Sequence, residues 1–148
     1  MTTALANTII KDGHGGPQIE RNTQTNTIRP GHFVTVNASN NVALVGTQGA
    51  DFATLLVLED KYQGHAATGG GVDVPYALNA PAVCEFPPSG ALRYARVPNG
   101  TVTVLGSQLI FNNAGQLIVT TGSPLKVVAF AEEALTASGE QLILVRIA

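Results

Sequence analysis

Charge is the scarcest commodity in this chain. Only 18 of its 148 residues are Lys, Arg, Asp or Glu, or 12%, where an ordinary globular domain carries about 25%. Eight basic residues stand singly and the net charge is -2, so there is no basic patch to attract nucleic acid or an anionic membrane. Aromatic residues make up 5% and tryptophan is missing. A single cysteine, Cys84, excludes an intrachain disulfide framework. No apolar run approaches the ~20 residues of a membrane span, and residues 1–30 show neither the basic flank nor the apolar stretch of a signal peptide. Disorder calls for low hydrophobicity with high net charge, and neither is found.

What is present is 45% hydrophobic residues with 16 Gly, many Thr, Val and Ala, and 10 Asn. The length suits one domain with a real core. Charge keeps monomers soluble and apart. A chain that omits it either has much of its surface covered by partners or relies on uncharged polar groups, which points toward assembly.

From residue 32 onward the pattern is short-period. His32-Phe33-Val34-Thr35-Val36 and Val42-Ala43-Leu44-Val45 flank the turn formers of 37–41 and read as a hairpin. The apolar run 52–58 reads as a strand buried on both faces. Residues 59–81, punctuated by Gly and Pro, read as loop. Strands are expected over 82–86, 91–97, 101–104, 108–111, 116–120, 125–131 and 141–147. Asn99-Gly100 predicts a type I′ hairpin between two of them, since both residues tolerate positive φ. Asn112-Asn113-Ala114-Gly115 predicts a second hairpin. The one candidate helical turn is 132–137, too short to stand alone. Roughly ten short strands at about 8–12-residue spacing predict an all-β fold, a compact β-barrel or β-tulip.

Residues 1–30 differ from the rest. They are polar and Gly-containing with scattered Ile9, Ile10, Ile19 and Ile28, and they end at Pro30-Gly31. Such a segment cannot build its own core, and we expect an extended N-terminal arm with those four isoleucines as its contacts to a neighbouring molecule. The compact domain is then 31–148.

The chemistry-bearing residues point away from catalysis. His14, His32 and His65 are far apart and show no zinc-ligand spacing. Cys84 sits in an alternating strand and reads as a buried structural thiol rather than a nucleophile. Ser89 and Ser123 fall in turns rather than a nucleophile elbow, and Gly69-Gly70-Gly71 lacks the Lys-Ser/Thr of a phosphate loop. Glu132-Glu133, adjacent on an extended chain, would face opposite ways. No catalytic residue, metal site or cofactor is expected. Arg93 and Arg96 read as charges near strand ends.

Several phrases in order resemble the capsid decoration (cement) proteins of tailed bacteriophages. They are Arg29-Pro30-Gly31-His32-Phe33-Val34, Leu58-Glu59-Asp60-Lys61-Tyr62-Gln63-Gly64, Val72-Asp73-Val74-Pro75-Tyr76, and Val127-Val128-Ala129-Phe130-Ala131-Glu132-Glu133-Ala134-Leu135 followed by Leu144-Val145-Arg146-Ile147-Ala148. The blocks span 29–148 with gaps. The resemblance implies a non-enzymatic virion protein on the outer surface of a capsid, a homotrimer that clamps neighbouring major capsid subunits, with no nucleic acid or membrane partner. The competing expectation is a β-barrel module of a head fibre or tail that binds carbohydrate or a small ligand. Tyr62 and Tyr76 would then serve as loop contacts for stacking.

Overall fold

The computed structural model describes residues 9–11, 15–45, 54–59, 72–122 and 126–148. The fold is all-β, and no helix occurs among the described residues. The described residues form twelve strands: β1 (Gln18–Asn22), β2 (Phe33–Val36), β3 (Val42–Leu44), β4 (Leu55–Val57), β5 (Pro81–Glu85), β6 (Leu92–Val97), β7 (Val102–Thr103), β8 (Gln108–Phe111), β9 (Leu117–Val119), β10 (Ala129–Ala131), β11 (Leu135–Thr136) and β12 (Gln141–Ile147).

They do not close into the expected barrel. Two five-stranded sheets form, ordered β1-β5-β4-β2-β3 and β6-β12-β10-β8-β9, with β11 and β7 as a separate two-stranded ribbon. Every strand pair is antiparallel. A parallel bridge, Thr23 to Val42, ties the two edges of the first sheet together at one end.

The apolar run ending in Leu55-Leu56-Val57 explains how the cores are arranged. Alternate side chains of a strand face opposite ways, and all three are buried. Leu56 and Phe33 join a large core with Ala95, Leu109, Ile143 and Val145. Leu55, Val57 and Val34 face a smaller core with Ile28, Val42, Ala82 and Cys84. The first sheet is thus buried on both faces at its centre.

Two local expectations are corrected. Asn99-Gly100 does not turn β6 back onto β7. Gly100 has φ 83° while Asn99 is not left-handed, and type I′ needs positive φ at both central residues. Nor has β6 an edge to offer. On one side it pairs with β12 from Leu92 to Val97. On the other, Tyr94 N donates to Ile9 O (2.8 Å), Lys11 N to Leu92 O (3.2 Å) and Arg96 N to Gly31 O (3.0 Å). The chain therefore leaves, and β7 pairs with β11 instead. That pairing also turns 135–136 into strand where a helical turn was the candidate. The hairpins β2–β3 and β8–β9 do form.

The described part of the first thirty residues is built into the same body. β1 pairs with β5 from Gln18 opposite Glu85 to Asn22 opposite Pro81. Just before it, Gly16 N donates to Glu85 Oε2 at 2.9 Å, and Phe86 N donates to Pro17 O at 2.9 Å. A Cβ at Gly16 would sit 1.8 Å from the Phe86 carbonyl oxygen, a backbone atom that cannot swing aside. Gly16→Ala is accordingly expected to cost about 2 kcal/mol, as overpacking does. Limited proteolysis of the variant should show new cleavage within 15–22 ahead of the rest of the chain.

Candidate functional site

The four isoleucines singled out as arm contacts face inward rather than toward a neighbour. Ile9 is fully buried in the larger core and Ile28 in the smaller. Ile10 forms an isolated bridge with Arg93 and packs partly buried on the larger core, and Ile19 packs partly buried against the smaller one. The reason is thermodynamic: each apolar side chain buried against a core already present gains roughly 1.5–3 kcal/mol, and unpaired edges on β5 and β6 offered hydrogen bonds to an extended segment. Tyr76, expected as a stacking platform, is also buried, and its hydroxyl donates to Leu58 O at 2.8 Å. Tyr62 lies outside the described residues, as do His14 and His65.

Two charged networks, one fully buried and one partly buried, were not legible from the strand-end placement of Arg93 and Arg96. Arg93 and Glu85 are each 0% exposed. Arg93 Nε donates to Glu85 Oε1 and its Nη2 to Oε2 at 3.4 Å. Because Glu85 is on β5 and Arg93 on β6, the pair joins the two five-stranded sheets. A buried pair of this kind must be fully hydrogen-bonded to offset desolvation, and Gly16 N supplies the further donor on Glu85.

The second network gathers around Glu140, in the loop before β12. Its Oε1 accepts from Arg96 Nη1 at 3.2 Å and Arg29 Nη1 at 3.5 Å. Its Oε2 accepts from Gln116 Nε2 and faces His32 Nε2 at 3.1 Å. His32 is oriented by Arg29 N, which donates to Nδ1 at 3.0 Å. Arg96 is itself 2% exposed and donates to Pro30 O at 2.7 Å, to Val72 O and to Asp73 Oδ1 at 3.2 Å. Burial alone would push the Glu140 carboxyl upward. The His32 hydrogen bond and charge, the Gln116 amide and the Arg96 charge outweigh it and hold the group at about 2.

Chemically these groups consume one another. Every carboxylate oxygen of Glu140 and Glu85 is already an acceptor, which makes the networks braces between distant segments rather than a reactive centre. Among the described residues no group of three His, Cys, Asp or Glu is placed to hold a metal ion. Cys84 is fully buried, and burial pushes its thiol up to about 12, so it stays protonated. The signal that could have revealed the networks was there. Arg93 and Arg96 interrupt an otherwise apolar strand, Leu92-Arg93-Tyr94-Ala95-Arg96-Val97. At a spacing of three in a strand they face opposite sides, so neither face of β6 could hide them without a partner.

The exterior is the reverse. Glu59, Glu85, Arg93 and Arg96 are buried, which removes four charges from a surface that began with few. From Val97 to Leu125 there is not one charged residue. Within that stretch Val102, Val104 and Leu105 are 58%, 62% and 70% exposed. An uncharged, partly apolar surface carried on internally braced sheets is the feature with functional promise.

Comparison with known protein families and with curated proteins finds no match for this chain.

Proposed function

We propose that this protein is a virion structural protein that binds the outside of a bacteriophage capsid shell and stabilises it by clamping neighbouring major capsid subunits. In this reading it has no catalytic role, and it works as a homotrimer. The observation that carries the reading is the placement of charge, braced inside and scarce outside, on an all-β body. It joins the ordered phrases, spread with gaps from Arg29 to Ala148, that resemble those of capsid decoration proteins. Such a function needs no pocket. It needs a rigid body whose surface can be covered without stripping water from unpaired ions, a cost that uncharged Thr, Asn, Val and Ala avoid. Many modest contacts repeated over a lattice then add through multivalency.

The alternative of a ligand-binding module loses support with the burial of Tyr76, since a ring inside the core cannot stack on a sugar.

The test is co-sedimentation of the full-length protein with expanded, undecorated shells of the phage that encodes it. The proposal expects saturable binding and a higher temperature of shell disruption. No saturable binding, together with specific retention on a glycan array, would replace it with the ligand-binding reading.

A further inference from the structure

The Asn99-Gly100 step, which fails as a hairpin turn, is the one Asn-Gly in the sequence. Both residues are exposed, and a Cβ at Gly100 would meet nothing within 4 Å. The side-chain amide of an asparagine is open to attack by the backbone nitrogen that follows it. Glycine leaves that nitrogen unshielded and free to reach the attacking conformation. Two hydrogen bonds act on this pair in opposite directions. Asn99 Oδ1 accepts from Gly139 N at 2.8 Å, and a donor placed there draws charge from Cγ and stabilises the oxyanion that forms on attack. Gly100 N, the attacking atom, donates to Ala137 O at 2.9 Å. That bond holds the proton that has to leave first.

The restraining bond extends the β7–β11 ribbon. Ala137 N donates back to Thr101 O at 2.8 Å, and the ladder continues with Thr136 opposite Val102 and Leu135 opposite Thr103. Thr103 Oγ1 pins the far end by donating to Glu133 O at 2.9 Å. The ribbon is a two-stranded piece separate from both five-stranded sheets, so it can part without breaking a ladder in either. Local openings of this kind cost less than global unfolding.

We propose that Asn99 is a modification site, deamidating at a rate gated by this ribbon. While residues 137–139 lie against 99–101, Gly100 N keeps its proton and the amide is stable. When the ribbon parts, Gly100 N gives its proton to solvent and bonds to Asn99 Cγ. Nδ2 takes a proton from water, the Cγ–Nδ2 bond breaks, and ammonia leaves a five-membered succinimide behind. Water then opens either carbonyl of the ring, so position 99 becomes aspartyl or isoaspartyl. Each product puts a negative charge into a stretch, Val97 to Leu125, that has none. The isoaspartyl form also lengthens the main chain by one carbon just before the bond from Gly100 N to Ala137 O, and the ladder cannot keep its register there. The reaction thus unlocks the ribbon irreversibly, with or without capsid binding.

The test incubates the full-length protein at mildly alkaline pH, with and without urea, and follows each asparagine by peptide mass mapping. In urea Asn99 should convert ahead of every other asparagine. In the folded protein its conversion should proceed about tenfold or more slowly, since only the open fraction reacts. Thr103→Val removes the bond to Glu133 O and should raise the folded rate several-fold, with the rate in urea and the circular dichroism unchanged. Equal rates for the wild type in the two conditions, or no conversion at all in the folded protein, would overturn the proposal. So would a wild-type rate in folded Thr103→Val. The wild-type comparison needs no variant, and it decides the matter even where Thr103→Val fails to fold.

Discussion

Glu85→Leu should lower the stability of the folded chain by about 3–5 kcal/mol, the typical cost of stranding one member of a buried ion pair. Arg93 has no exposed surface, so its guanidinium could not relax toward water when its partner is removed. Gly16 N would lose its acceptor at the same stroke, loosening the approach to β1. The double variant Glu85→Leu/Arg93→Met should recover much of the loss, since it leaves no uncompensated charge between the sheets and an apolar core can absorb both side chains. Urea unfolding reads this as a large drop in midpoint for the single variant and a partial return for the double one, at constant slope. The double-mutant cycle isolates the pair term. An unchanged midpoint in Glu85→Leu would mean the pair does not couple the sheets.

That experiment also bears on why the sequence revealed some of this fold and not the rest. Local chemistry was readable. In the β8–β9 turn, Asn112 Oδ1 accepts from Ala114 N at 2.8 Å and Gln116 N at 3.0 Å, and Gly115 takes φ 69°, all within five residues. The run through Leu55, Leu56 and Val57 was readable as a doubly buried strand because three consecutive apolar residues leave no polar face. Edge allocation was not readable. Asn99-Gly100 carries a good hairpin signal, yet the hairpin fails because residues 9–11 and Gly31, far away in sequence, already occupy the outer edge of β6. The isoleucines of the first thirty residues pointed to a contact surface, and only the tertiary arrangement decides that this surface belongs to the chain itself.

The charged interior escaped for a related reason. A carboxylate and a guanidinium carry no periodicity of their own, and Glu140 reaches partners 24, 44, 108 and 111 residues away in Gln116, Arg96, His32 and Arg29. Sparse charge therefore had two meanings that composition could not separate: a bare surface, or a few charges reserved for bracing. The structure shows both at once. The uncharged ribbon around Val102 stands on a body held by the fully buried Glu85–Arg93 pair and the partly buried Glu140 network, both screened less than surface pairs are.

The Glu140 brace makes stability depend on acid in a definite window. The carboxyl sits at about 2 in the folded chain against an ordinary value of 4.5, so between these values the unfolded chain binds the additional proton. Stability is fully present above about 4.5, and it is lost as pH falls toward 2. The gap corresponds to about 2–3 kcal/mol, the lower figure allowing for solvent at a carboxylate that is 23% exposed. Glu140→Gln should start from a lower urea midpoint at neutral pH, because an amide cannot compensate Arg96 and Arg29. It should then lose less stability than the wild type on acidification through the window. The difference between the two proteins, plotted against pH, isolates this carboxylate from the other acids that titrate alongside it. A difference that stays constant from neutral pH down to 2 would show that the brace carries no ionic component. A difference that closes within the window would identify Glu140 as the charge that ties the Arg29–His32 corner, β6 and the β8–β9 turn into one body.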